Sequence, residues 1–306
     1  MKQCRVSKGS PSVSPFLLLL AAAAAVMACN QREKTALDPH ATLRDDLGSL
    51  VSLSPPPRRV ISLAPSITET LFALGADSLV AGVTDYCDFP PEAKKRPSVG
   101  GLTSPSFEQI ASLNPDLILM SVAGNSRADH DKLVELGFRV FVTNPSNVEG
   151  VFTSIRNIGI LTRTTGNADT LIAVMQREQN RLKEEAQERP ARDVLMLLSL
   201  KPIIAVGGDT FLQEILSLAN SRNLAANAPT SYPLFSREHV LGLQPEVILV
   251  MDDAVESEGD FQKAFPEWKD LDAMRNNRVV LLESNLVSRP GPRIMLGLRQ
   301  IVTALR

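Results

Sequence analysis

The 306-residue chain is short of several things, and each shortage excludes something. Three cysteines are too few for the disulfide framework that staples small secreted domains. Thirty-two Lys and Arg against 34 Asp and Glu leave a formal net charge of −2, which gives no basic footprint for nucleic acid. The three histidines, His40, His130 and His239, lie far apart without a C-x-x-C or H-x-x-x-H partner, so a histidine-rich zinc or manganese site is disfavoured. Each reads as a solvated side chain. Enzyme signatures are missing too: there is no G-x-S-x-G elbow, no Walker A loop and no G-x-G-x-x-G fingerprint. Aromatic residues make up only 5%, with one tryptophan, Trp268. What is plentiful is apolar content, 44% against 22% charged, which argues for packed cores over disorder.

The N-terminus carries Lys2, Arg5 and Lys8 and no acid before an apolar run from Phe16 to Met27. That run falls short of the roughly 20 residues a membrane-spanning helix needs. Its flanks describe a secretory signal. The sequence Val26-Met27-Ala28-Cys29 resembles the lipobox of bacterial lipoproteins, in which the cysteine is lipidated and becomes the first mature residue. On that reading residues 1–28 are removed, and 29–42 form a lipid anchor and polar tether. The mature charge is then −5, and Cys87 is left without a disulfide partner.

The segment from Leu43 to Leu53, apolar at both ends with an Asp/Gly centre, predicts a small hairpin. From Val60 onward short apolar runs alternate with helical periodicity, the pattern of a parallel or mixed sheet flanked by helices. No strand candidate occurs between Val148 and about Arg189. Two helices are expected there, the second running from about Ala168 to Gln187 and long enough to bridge two lobes. Alternation resumes at Val194 and ends in a helix expected from Pro290 to Leu305.

An internal repeat supports two similar lobes. Phe107-Glu108-Gln109-Ile110-Ala111-Ser112-Leu113-Asn114-Pro115-Asp116 aligns without gaps, at an offset of 130, with Arg237-Glu238-His239-Val240-Leu241-Gly242-Leu243-Gln244-Pro245-Glu246. A weaker echo pairs Val60–Gly75 with Val194–Leu218. The chain therefore divides into an N-terminal lobe over 43–147, a helical linker over 148–190 and a C-terminal lobe over 191–306.

Candidate functional residues follow from this layout. Glu108 and Glu238 fall two positions after plausible N-cap serines; they either complement helix dipoles or form a matched pair of carboxylates for arginines on a partner. Ser66-Ile67-Thr68-Glu69 fits a capping box at a helix start, where N–H groups also suit an anionic ligand. Tyr86-Cys87-Asp88-Phe89-Pro90-Pro91 is a loop with two aromatic residues, suited to ligand stacking or to packing. Arg289, beside the start of the last helix where the dipole does not favour it, points to a task such as binding a ligand's amide, phosphate or carboxylate.

Taken in order, the lipobox, the run from Arg59 to Glu69, the Asp85–Pro91 loop, the two glutamate segments and Arg289-Pro290-Gly291-Pro292-Arg293 resemble class III periplasmic substrate-binding proteins of ABC importers, most of all the vitamin B12-binding type. The resemblance spans about residues 43–306. It implies an α/β fold of two Rossmann-like lobes with central sheets, joined by one long backbone helix, with the ligand in the cleft between them. It implies binding without catalysis and no cofactor beyond the ligand. The implied partners are an ABC permease and ATPase complex, a bulky metal chelate and, through Cys29, a membrane; a monomer is expected. By the same resemblance Glu108 and Glu238 dock on the permease, while Tyr86 and Arg289 line the cleft, where the helix start read at Ser66 would add its N–H groups. Leu102 and a position near Ser121 stand where corrinoid binders carry tryptophans. Cobalamin, a ferric siderophore and haem all remain open as ligands. An enzyme on a related scaffold, of the metal-chelatase kind, is the alternative from another class.

Overall fold

The computed structural model describes residues 42–52 and 54–306; the signal segment, Cys29, His40 and Leu53 lie outside them. Within the described residues the chain opens on a hairpin, β1 (Thr42–Arg44) and β2 (Leu50–Ser52), paired antiparallel with Thr42 opposite Ser52. Asp45 closes its turn, accepting from the Leu47 and Ser49 amides at 3.0 and 2.7 Å. Its other oxygen accepts from the Val142 amide at 3.3 Å, which ties the hairpin to the first lobe.

That lobe is a parallel four-stranded sheet. β3 (Val60–Ser62), β4 (Val80–Val83), β5 (Leu117–Ser121) and β6 (Val140–Thr143) lie in the order β4-β3-β5-β6. Every residue of β3, β5 and β6 is buried, as expected for strands covered on both faces. Around them pack α1 (Pro65–Ala73), α2 (Phe107–Ser112) and α3 (Arg127–Glu135). His130 is a correction to the expected solvated histidines: it is buried, because it shares with Leu133 the i, i+3 face of α3. Its Nδ1 lies 2.8 Å from the Asp131 carboxylate. His239 is exposed, with its ring 4.3 Å from that of Phe235.

Two helices follow, α4 (Val148–Leu161) and α5 (Thr165–Gln187). The 23 residues of α5 extend about 35 Å at the helical rise. Ala168, Ile172, Met175, Leu182 and Ala186 form its buried stripe, spaced at three and four residues or their sums.

The second lobe has a mixed sheet. β7 (Arg192–Leu200), β8 (Ile203–Ala205), β9 (Ser221–Asn223), β10 (Leu234–Phe235), β11 (Val247–Met251) and β12 (Val279–Leu282) run β10-β8-β7-β11-β12, with β9 also on β7. Only β8 runs against the others, pairing antiparallel with both β7 and β10. Its helices are α6 (Phe211–Leu218), α7 (Arg237–Leu243), α8 (Glu258–Ala264), α9 (Asp272–Arg275), α10 (Ser284–Val287) and α11 (Ile294–Ala304). The last helix starts at Ile294 and not at Pro290: Gly291 precedes Pro292, which pushes it out of helical conformation. Trp268 is fully buried among Phe261 and Phe265, stacked at 4.0 Å on the latter, with its indole N–H donating to the Arg237 carbonyl. The only tryptophan therefore holds α7 in place.

The sequence repeat is a repeat of structure. Ser106 and Ser236 each cap a helix, accepting from the amide three residues on. Asn114 and Gln244 each turn the chain with a left-handed φ, 46° and 50°. Asp116 and Glu246 each accept from amides at the start of the neighbouring strand: from Arg58 and Arg59 at 2.7 and 3.1 Å, and from Asp193 at 2.7 Å. The register pairs Val60 with Leu117 and Val194 with Val247, so the fainter echo of Val60 in Val194 falls on equivalent strands.

The helix α5 packs against α4 and α11. Glu178 on α5 accepts from Arg299 of α11 at 2.6 Å and from Arg181 at 2.9 Å. Hydrogen bonds from Arg181 first, then from Arg299, outweigh partial burial and bring its carboxyl from the ordinary 4.5 down to about 2. A carboxyl lowered in the folded state stabilises fully above its unfolded value and progressively less as pH falls through the folded one. In urea denaturation the gap between wild type and Glu178→Gln should therefore be open at neutral pH and close between about 4.5 and about 2. A gap independent of pH would remove this ion pair from the stability of the interface.

Candidate functional site

The cleft is built where β3 hands over to α1. Ala64 is extended (φ −146°, ψ 143°) and Pro65 opens the helix, its missing N–H costing nothing there. The expected capping box does not form: with Pro65 at the first position, Ser66 already lies inside the helix, and no side chain caps it. The Ser66 carbonyl accepts from Thr70 Oγ1 instead. Glu69 turns away from the helix start toward the second lobe.

There it meets two arginines from the turn between α10 and α11. Arg293 grips Glu69 through a fork, Nε to Oε2 at 2.9 Å and Nη2 to Oε1 at 2.6 Å. Arg289 Nη1 donates to the same Oε1 at 3.1 Å and to Asp88 Oδ1 at 2.6 Å. The Arg293 guanidinium also lies 4.0 Å over the Phe89 ring, a cation–π contact. Glu69 is 3% exposed, and the arginine side chains 13% and 15%. For Asp88, partial burial raises the carboxyl, but the hydrogen bond and charge of Arg289 prevail and hold it below the ordinary value. The hydrogen bond that Arg293 donates to Glu69 chiefly raises its guanidinium, against burial. The two lobes are thus joined by a largely buried quartet of charges, and the aromatic loop is part of it.

Above this quartet lies a cavity of about 340 Å³. Ser66, Tyr86, Leu102 and Ser121 line it from the first lobe, and Arg289 from the second. All five residues named from the sequence as cleft candidates therefore share one space. Asp253, from the loop after β11, and Asn285 and Ser288, from α10 and the loop after it in the segment following β12, extend the second-lobe wall. Those segments follow the carboxyl ends of parallel strands, where open α/β sheets place their ligands. Tyr86 is 57% exposed, so the mouth is open on its side. At Gly291 the backbones of the two lobes pass close together: a Cβ there would stand 3.2 Å from the Ser66 carbonyl oxygen.

Asn125 is a residue that sequence reasoning missed. Its Oδ1 accepts from the Ser121 amide at 2.9 Å, and its Nδ2 donates to the Leu63 and Leu102 carbonyls at 3.0 and 2.9 Å. One side chain fixes three loops of the cleft. Beneath the floor, Thr68 Oγ1 and Thr84 Oγ1 surround the buried Cys87 thiol at 3.1 and 3.2 Å. Glu108 and Glu238 lie outside the cleft, exposed at matching positions on α2 and α7, and among the described residues neither joins an ion pair. Glu238 is held below the ordinary carboxylate value by its own backbone amide first and by Ser236. A larger cavity, about 510 Å³, sits within the second lobe beside Lys201 and shares only Asp253 with the cleft. The cleft is the better site, because both lobes converge on it. Among the described residues no three His, Cys, Asp or Glu side chains are placed to hold a metal ion, and no helix is long and apolar enough to cross a membrane.

Two α/β lobes on a helical spine, with convergent groups in the cleft between them, are the architecture of a binding protein, and the chain belongs to the periplasmic binding protein family, whose model matches residues 60–286. It is 31% identical over 263 residues to the vitamin B12-binding protein of Vibrio cholerae, covering 84% of this chain and 92% of that one. The vitamin B12-binding protein of Vibrio campbellii is 28% identical over 247 residues, 80% and 88% of the two chains. Among solved structures, the periplasmic vitamin B12-binding protein of Vibrio cholerae superposes with a TM-score of 0.74 at 28% identity, covering 82% and 97%. A periplasmic haem-binding protein from Roseiflexus, in apo form, gives 0.73 at 27% identity, covering 81% and 99%.

Proposed function

We propose that this protein captures a corrinoid of the cobalamin type in the inter-lobe cleft and delivers it to the permease and ATPase of an ABC importer. In this reading the signal over 1–28 is removed, Cys29 carries the lipid, and the lobes over 43–147 and 191–306 are joined by the linker over 148–190. The observation that carries it is the convergence of Ser66, Tyr86, Leu102, Ser121 and Arg289 on one cavity between the lobes. The relatives named vitamin B12-binding protein, similar over four-fifths of the chain, support the corrinoid. Likeness to a haem-binding protein supports haem as a second reading. The cavity is at the small end of the roughly 300–1,000 Å³ range of small-molecule sites, so a macrocycle would leave its substituents outside, toward Tyr86.

Titration of the purified protein with cyanocobalamin, cobinamide, haemin and ferric siderophores tests this, read by absorbance and calorimetry. A corrinoid should bind saturably and stabilise the fold by about 2.7 kcal/mol at a hundred times its Kd. No heat and no thermal shift with any of them would end the solute-binding reading.

A further inference from the structure

The cleft holds its cations already neutralised. Among the described residues Arg289 is the only cation lining the cavity, and it donates to Glu69 and to Asp88. Arg293, behind it, is occupied by both oxygens of Glu69. Beyond the four, the charge of Lys94 favours the ionised form of Asp88 and that of Glu283 favours the ionised form of Arg293. Counted together, three acids face three bases. The remaining charged lining residue is acidic: Asp253, whose Oδ1 accepts from the Ser284 hydroxyl at 2.8 Å. Lys201, exposed and without an ion pair among the described residues, lines the second-lobe cavity and not this one.

A ligand presenting carboxylates would find no free cation here. To recruit Arg289 it would have to displace Asp88 or Glu69, and separating a buried pair leaves an uncompensated charge. It would also bring like charge toward Asp253. An amide-rimmed macrocycle meets no such obstacle. A guanidinium has five N–H donors, more than the two carboxylate bonds and the longer bond from Nη2 to the Tyr86 carbonyl at 3.4 Å consume, so Arg289 retains capacity for an amide carbonyl without giving up its partners.

We propose that Glu69 and Asp88 are specificity-determining residues which, by occupying Arg289 and Arg293 in advance, make the cleft select an uncharged macrocycle and reject one that carries carboxylates. This rests on the reading of the cleft as a metal-chelate site. Neither acid is a ligand contact in this role. Each acts through the arginine it holds.

The test uses a matched pair of probes, haemin and haemin dimethyl ester, which share a macrocycle and differ in its two carboxylates. Both are titrated into wild type, Asp88→Asn and Glu69→Gln, with dicyanocobinamide as a third probe. Freeing the arginines should strengthen haemin binding by about fivefold or more while leaving the ester within about twofold. Thermal unfolding shows which variants are folded; Asp88→Asn, altering a half-buried group at the edge of the quartet, decides the matter if Glu69→Gln is not. A folded variant with no gain for haemin, or an equal gain for haemin and ester, overturns the proposal. Failure of wild type to bind dicyanocobinamide would count against the corrinoid reading alone, because charge selection is read from the haemin-to-ester ratio between variant and wild type.

Discussion

Replacing Glu69 by alanine is expected to destabilise the protein by about 3–5 kcal/mol, the cost of breaking a buried ion pair from one side. The carboxylate is almost wholly buried and accepts three hydrogen bonds from two guanidiniums. Its removal leaves Arg293 without an anionic partner in direct contact, over the Phe89 ring, and leaves Arg289 only Asp88. A surface ion pair would be worth at most about 1 kcal/mol, so the size of the effect separates the two descriptions. Domains typically have about 5–15 kcal/mol of stability, so Glu69→Ala should still fold. Urea denaturation of wild type and variant measures the difference; a loss under about 1 kcal/mol would mean the quartet is a solvated surface network. Acid should weaken the same contact from its exposed side. Because Arg289 depresses Asp88, that carboxylate contributes fully above its unfolded value and loses its contribution as pH falls through the lower folded one.

The quartet also marks where reading the sequence runs out. Short-range patterns transferred well: the Asp/Gly centre of the hairpin, the serine caps, the proline stops and the offset of 130 all correspond to structure. They do so because each is set by local backbone chemistry, a hydrogen bond or a forbidden φ within a few residues. The cleft residues were legible as a set through family resemblance, and two of the five sit at element ends, Ser66 in the first turn of α1 and Ser121 at the last position of β5. Glu69 was not legible. Its partners lie 220 and 224 residues away, and the local pattern S-x-x-E offers a competing explanation that Pro65 defeats by taking the first helical position. Asn125 failed to stand out for the same reason: two of its three bonds reach the Leu63 and Leu102 carbonyls, 62 and 23 residues distant. The buried His130 was hidden by exposed charged neighbours in sequence, one of which, Asp131, turns its carboxylate back to the ring.

If Glu108 and Glu238 dock on the permease of an importer, as we propose, reversing both to lysine is expected to abolish import and stimulation of its ATPase while leaving ligand affinity unchanged. The two carboxylates occupy the second residue of helices capped in the same way, one in each lobe, and each strand that follows sits beside its lobe's first strand in matching register. Both are exposed and, among the described residues, form no ion pair, and Glu238 is held ionised by its own backbone amide and Ser236. Stability alone does not account for such placement. A carboxylate in a first helical turn contributes about 0.3–1 kcal/mol, so the double reversal should shift unfolding only slightly. In the proposed docking, by contrast, a partner's arginines would lose a charge-assisted bond and gain a like charge, and truncating a buried interfacial pair typically costs about 2–5 kcal/mol, or about 30- to 5,000-fold in affinity. Single reversals should fall between, since each leaves one lobe able to dock. The distance of both residues from the cleft makes the separation clean: a titration should give the wild-type Kd while uptake by cells falls to background. Undiminished uptake by the double variant would return Glu108 and Glu238 to ordinary helix-end acids, and with them the docking role.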